Sequence, residues 1–132
     1  MIGKSERKDS ILVPAISGDC PTMFTATLGH LRILPDFESA RTYIETSTRT
    51  QPEILVTTEI DWSWTRVLEH FNGVITDRGT RVSRAAEVMV IMNKPGVLGT
   101  KIGTKVLQPG TVTQIVCNGN EAVVYLVQKK LE

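Results

Sequence analysis

The sequence predicts an α/β fold in one domain, and three observations predict it. First, the apolar runs Ile54-Leu55-Val56 and Val74-Ile75 flank a helical spacing of Trp64, Val67, Leu68 and Phe71, which makes a βαβ unit with a right-handed crossover. Second, an amphipathic helix follows from Ser83 to Met92. Third, beyond Gly99 the texture turns to short apolar runs separated by turn residues. A length of 132 residues suits one core, since about 150 residues bury roughly two thirds of their unfolded surface.

In chain order, Met1 to Asp9 is polar and mixed in charge, and reads as a flexible tail before a domain over 10–130. Ile11 to Ile16 is a first strand, ended by Gly18-Asp19 and Pro21. A polar loop leads to His30-Leu31-Arg32-Ile33-Leu34, with β-like alternation. Asp36 is placed to cap a helix that puts Phe37, Ala40, Tyr43 and Ile44 on one face, and the Thr- and Ser-rich stretch Ser47 to Pro52 breaks it. In the helix from Ser83, the residues Ala85, Ala86, Met89 and Met92 share a face, and Asn93 and Pro95 stop it. The β region is expected to comprise Val106-Leu107, a turn at Pro109-Gly110, Val112 to Val116, a tight Asn118-Gly119-Asn120 turn, and Ala122 to Val127.

Composition narrows the function. With 15 Lys and Arg against 14 Asp and Glu, the net charge is +1, and no block of like charge offers a footprint for nucleic acid or an anionic membrane. No stretch has the length of a transmembrane helix. Cys20 and Cys117 lie far apart in sequence and match no metal-ligand spacing, so two reduced thiols, no metal and no cofactor are expected, in a cytoplasmic protein.

The turn before the helix from Ser83 carries the most information. The run Thr76-Asp77-Arg78-Gly79-Thr80-Arg81-Val82-Ser83-Arg84-Ala85-Ala86, followed by Pro95-Gly96-Val97-Leu98-Gly99-Thr100, resembles the mobile phosphohistidine domain of the phosphoenolpyruvate-utilising enzymes. That family, which includes phosphoenolpyruvate synthase and pyruvate phosphate dikinase, typically reads Thr-Asp-x-Gly-Gly-x-Thr-Ser-His-Ala-Ala and then Pro-x-Val-Val-Gly-Thr. Glu53-Ile54-Leu55-Val56, Gly73-Val74-Ile75-Thr76-Asp77, Thr104-Lys105-Val106-Leu107 with Gly110, and Val123-Val124-Tyr125 are similar to further family segments in the same order. The resemblance implies a β/β/α swivelling phosphohistidine-type fold. It also implies a role in phosphotransfer beside nucleotide-binding and phosphoenolpyruvate-binding domains of a dikinase-like enzyme.

Where the family carries histidine, this chain has Arg84. A neutral imidazole, with a pKa of about 6.5, attacks phosphorus readily; a guanidinium stays protonated and has no lone pair to offer. Val82 stands where the family has a threonine hydroxyl. His30 and His70 lack the Gly-rich turn and helix N-terminus of the family site.

Two functions follow from different classes. In one, the chain is a degenerate carrier domain, with no catalytic residue at the Arg84 position, that docks to partner domains through Trp62, Trp64, Val90 and Ile91; the plainer expectation is core packing for the two tryptophans and packing under a neighbouring loop for Val90 and Ile91. In the other, it recognises phosphate or an anionic metabolite at the turn formed by Gly79, Thr80, Ser83, Arg84 and Ala85, where first-turn amides and a guanidinium converge. The plainer expectation for Arg84 is a pairing with a nearby carboxylate such as Asp77.

Overall fold

The structure, a computed structural model, describes residues 10–129; the expected tail over 1–9 lies outside the described residues. Seven strands form one sheet: β1 (Ser10–Asp19), β2 (Ala26–Ile33), β3 (Glu53–Thr57), β4 (Gly73–Thr76), β5 (Gly96–Val97), β6 (Val112–Asn118) and β7 (Glu121–Lys129). Their order is β1-β7-β6-β2-β3-β4-β5. The half from β1 to β2 is antiparallel and the half from β2 to β5 parallel.

The two edges of this sheet meet. Asp19 and Leu98 exchange backbone hydrogen bonds of 2.8 Å in both directions, so the sheet curls toward closure. Gly18 permits the approach, because a Cβ there would strike the Leu98 carbonyl oxygen.

Strand alternation therefore feeds two cores. On the inner side of the curl, Ile54, Val56, Ile75, Val97, Leu31, Ile115 and Val124 pack together. On the outer side, Leu55 and Val74 meet the helices. Burial on both faces explains why β3 and β4 read as unbroken apolar runs rather than alternating ones.

The outer layer holds α1 (Phe37–Thr46), α2 (Thr65–Leu68) and α3 (Arg84–Met92), with a 3-10 turn at Trp62–Trp64 before α2. Asp36 caps α1 as its sequence position implies: the Ser39 amide donates to Asp36 Oδ1 at 2.8 Å. α1 is held to the sheet by a half-buried polar cluster, in which Arg32 Nε donates to Glu53 Oε2 at 2.7 Å and to the Tyr43 hydroxyl at 2.9 Å, and Tyr43 donates to Glu53. α3 is capped by Ser83 at its start and by Asn93 at its end, where Asn93 takes a left-handed φ of 54°. Ala85, Ala86 and Met89 face the core as expected, joined by Val88.

Two expectations are corrected here. Val106 belongs not to a strand but to a fourth helix, α4 (Gly103–Val106), because Thr100 Oγ1 accepts from the Gly103 amide and Asp77 accepts from the Thr104 amide. Trp64 is no docking residue: at 5% exposure it sits in the outer core, edge-on to Phe37 with ring centroids 5.4 Å apart. Three residues per turn in the 3-10 segment put Trp62 and Trp64 on different faces, and Trp62 is the one left exposed.

Candidate functional site

The turn joining β4 to α3 is built around Ser83. Its hydroxyl donates to the Thr80 carbonyl at 2.8 Å and accepts from the amides of Thr80, at 3.1 Å, and Ala86, at 3.4 Å. One serine thus closes the turn and caps the helix. Gly79 takes a φ of 116°, open to glycine, and the turn is tied back to β1 by the Arg81 amide donating to Asp19 Oδ2 at 3.2 Å. Gly99 packs directly on this turn: a Cβ on it would lie 2.5 Å from the Gly79 carbonyl oxygen.

Arg84 is the first residue of α3 and is exposed. The amides of Arg84 and Ala85 are first-turn donors with no acceptor inside the helix. The Arg84 side chain lines a cleft of about 210 Å³ with Glu59, Asp61, Arg78, Gly79, Ser83 and Ala85. Of the anion-site residues picked out by sequence, Gly79, Ser83, Arg84 and Ala85 converge on that cleft, whereas Thr80 turns away and its hydroxyl accepts from the Val82 amide at 3.3 Å.

The expected pairing of Arg84 with Asp77 is corrected. Asp77 is engaged elsewhere, accepting from the Thr104 amide at 2.9 Å and the Thr104 hydroxyl at 2.5 Å. Arg84 acts instead on Asp61. Hydrogen bonds from the Ser63 hydroxyl and amide hold the Asp61 carboxyl below its usual range, and the Arg84 charge adds to them. Across the cleft, Arg78 lies 3.8 Å from Glu59. The cleft therefore holds two guanidinium and two carboxylate groups. Glu59 and Asp61 escaped the sequence reading; the available signal was that they follow β3, whose C-terminal end lies beside that of β4, the usual ligand side of parallel strands.

On its other side, α3 borders a groove of about 660 Å³. Val90 lies one turn beyond Ala86, and Ile91 one turn beyond Glu87, so all four line it. Trp62, Met23 and Val82 complete its apolar wall. Val82 is 92% and Ile91 71% exposed, and Val90, Met23 and Trp62 are exposed too. The groove thus brings together three of the four docking candidates and adds Met23 and Val82.

Neither histidine lines the cleft or the groove. His30 lies within β2, its Nδ1 3.3 Å from the Gly110 carbonyl oxygen, and His70 Nδ1 lies 3.0 Å from an Arg49 guanidinium nitrogen. Among the described residues, no group of three or more His, Cys, Asp or Glu could hold a metal ion. No helix among them is long and apolar enough to cross a membrane.

Comparison with known proteins agrees with this architecture. Residues 49–122 match the family described as PEP-utilising enzyme, mobile domain. The chain is 32% identical over 124 residues to a phosphoenolpyruvate synthase of Aquifex aeolicus, covering 92% of this chain and 13% of that protein. A phosphoenolpyruvate synthase of Helicobacter pylori is 33% identical over 98 residues, covering 74% of this chain and 11% of that protein. A probable phosphoenolpyruvate synthase of Archaeoglobus fulgidus is 34% identical over 82 residues, or 61% of this chain and 11% of its own length. The chain thus spans 13% or less of these relatives.

Proposed function

Since the chain belongs to the mobile-domain family of the PEP-utilising enzymes, we propose that it is a swivelling domain of phosphoenolpyruvate synthase type whose carrier position is taken by Arg84. It acts by docking rather than by carrying phosphate. The observation that carries this reading is Arg84 at the head of α3, immediately after the Gly79 to Ser83 turn and beside an exposed apolar groove. A protonated guanidinium cannot attack phosphorus, and Val82, fully open to solvent, offers no hydroxyl beside it. The machinery that presents a nucleophile is kept, while the nucleophile is absent.

The surfaces to which such a domain would dock are the nucleotide-binding and phosphoenolpyruvate-binding domains of a dikinase-like enzyme. An apolar groove rimmed by Arg81 and Glu87 suits a protein surface, which buries apolar side chains inside a polar rim. Isothermal titration against those two domains, prepared from a phosphoenolpyruvate synthase, tests it. Saturable binding by the wild type, lost in Val90→Ser/Ile91→Ser with an unchanged thermal melt, is the expected result. Equal binding by both proteins, or by neither, overturns it.

Recognition of phosphate or an anionic metabolite at the Gly79–Arg84 turn is the second reading. The first-turn amides of Arg84 and Ala85 favour it. Against it stand Glu59 and Asp61, whose carboxylates share the cleft with Arg84 and repel an incoming anion. Docking is the reading with the better physical support.

A further inference from the structure

Cys20 and Cys117, separated by 97 positions, meet at one end of the antiparallel half of the sheet. Cys20 directly follows β1, and its amide donates to the Asn120 carbonyl at 2.9 Å; Cys117 lies near the end of β6, and its amide donates to the Thr25 carbonyl at 3.1 Å. These bonds, with the pairings of Asp19 to Glu121 and of Cys117 to Ala122, fix both backbones. The two sulfurs lie 3.2 Å apart. A disulfide needs about 2.05 Å, so closure asks for a movement of roughly one ångström.

We propose that Cys20 and Cys117 are a thiol–disulfide modification site, which a low-molecular-weight disulfide oxidises to an intramolecular bond fastening the start of the 20–25 segment to β6. The inference concerns thiol chemistry alone and does not rest on the docking reading. Cys117 is half-buried and Cys20 buried, so Cys117 reacts first. Its thiolate attacks one sulfur of the small disulfide, that S–S bond breaks, and one thiolate leaves and takes up a proton. Cys20 then yields its proton to solvent, its sulfur attacks the Cys117 sulfur, and the second small thiolate departs and is protonated. Two electrons pass from the protein dithiol to the small disulfide, which ends as two thiols.

Burial pushes the Cys20 thiol above its ordinary range, and the hydrogen bond shared with Cys117 adds to this. Burial disfavours the Cys20 thiolate, so the second step quickens as pH rises. Oxidation also replaces the hydrogen bond that Cys20 Sγ donates to the Thr22 carbonyl at 3.0 Å. Because Cys20, Pro21, Thr22 and Met23 all line the large groove, the modification alters one of its walls.

Native protein incubated with glutathione disulfide, quenched by alkylation and mapped by mass spectrometry tests the proposal. The expected product has lost two hydrogens, carries no glutathione, yields joined Cys20 and Cys117 peptides, and reverts with dithiothreitol. Cys20→Ser should accumulate a glutathione adduct on Cys117, whereas Cys117→Ser should leave Cys20 unmodified until urea is added. Wild-type protein that stops at the Cys117 adduct, forms intermolecular disulfides, or keeps both thiols free overturns it.

Discussion

Thr104 grips Asp77 twice, its amide donating to Oδ1 at 2.9 Å and its hydroxyl to Oδ2 at 2.5 Å. The Asp77 backbone is held as well, its amide donating to Thr57 and its carbonyl accepting from Lys101. A carboxylate leaving β4 thus caps α4 and anchors the start of the candidate site. Asp77→Ala strands two donors and should cost about 1–3 kcal/mol. Thr104→Val keeps the amide bond and should cost about 1 kcal/mol. Urea unfolding of both variants checks the order; an Asp77→Ala variant no less stable than Thr104→Val would remove Asp77 as the anchor.

The Gly79 turn and Gly99 are in contact, and a pair of glycine substitutions separates backbone strain from collision. Gly99 and Gly110 have similar positive φ values, 72° and 83°. A Cβ on Gly110 meets nothing within 4 Å, whereas one on Gly99 meets the Gly79 carbonyl oxygen. Gly110→Ala should cost about 1 kcal/mol for the left-handed conformation alone. Gly99→Ala should cost clearly more, because it must push the turn away. Equal losses in thermal melts would show that the turn yields freely.

Much of the fold was legible because local chemistry and tertiary burial agree. Asp36 caps where its side chain implies, the helix expected from Ser83 to Met92 forms, and Ile54-Leu55-Val56 and Val74-Ile75 are strands whose alternate residues enter different cores. The misses come from partners remote in sequence. α4 depends on Asp77, 27 residues earlier, so nothing adjacent to Val106 announces a helix. Trp62 and Trp64 differ in exposure because of a 3-10 turn, which no periodicity reveals in so short a segment. The cleft around Arg84 was half visible: its own turn could be read, but Glu59 and Asp61 arrive from the neighbouring strand. The approach of Cys20 to Cys117 rests on strand order alone.

The polar cluster under α1 should respond asymmetrically to losing one partner. Glu53 has 4% side-chain exposure against 36% for Arg32. Removing Arg32 leaves a buried carboxylate with only Tyr43 to satisfy it, whereas removing Glu53 leaves a guanidinium that water can reach. Arg32→Met should therefore destabilise by about 2–4 kcal/mol and Glu53→Met by less. The reverse order in urea denaturation would contradict this asymmetry.

The depressed Asp61 carboxyl fixes the sign of a pH effect. In the unfolded chain the group has its ordinary value of 3.8, so at low pH the unfolded state binds the proton first. Stability from this group is present above pH 3.8 and is lost as pH falls through the lower folded value. Asp61→Asn should remove that portion of the acid limb, so that the stability gap between wild type and variant narrows with acidification. A gap that stays constant from neutral to acid pH would mean that the Ser63 and Arg84 interactions do not favour the charged form.

Whether phosphate ever resides on this chain decides between a docking domain and a carrier. The most direct measurement incubates it with phosphoenolpyruvate and full-length phosphoenolpyruvate synthase, followed by mass spectrometry at neutral or basic pH to preserve acid-labile phosphate. The expected result is an unmodified chain, and only slight labelling of Arg84→His, since Val82 still lacks a hydroxyl. Acid-labile phosphate on His30, His70 or any other residue of the wild-type chain would contradict the docking-only function.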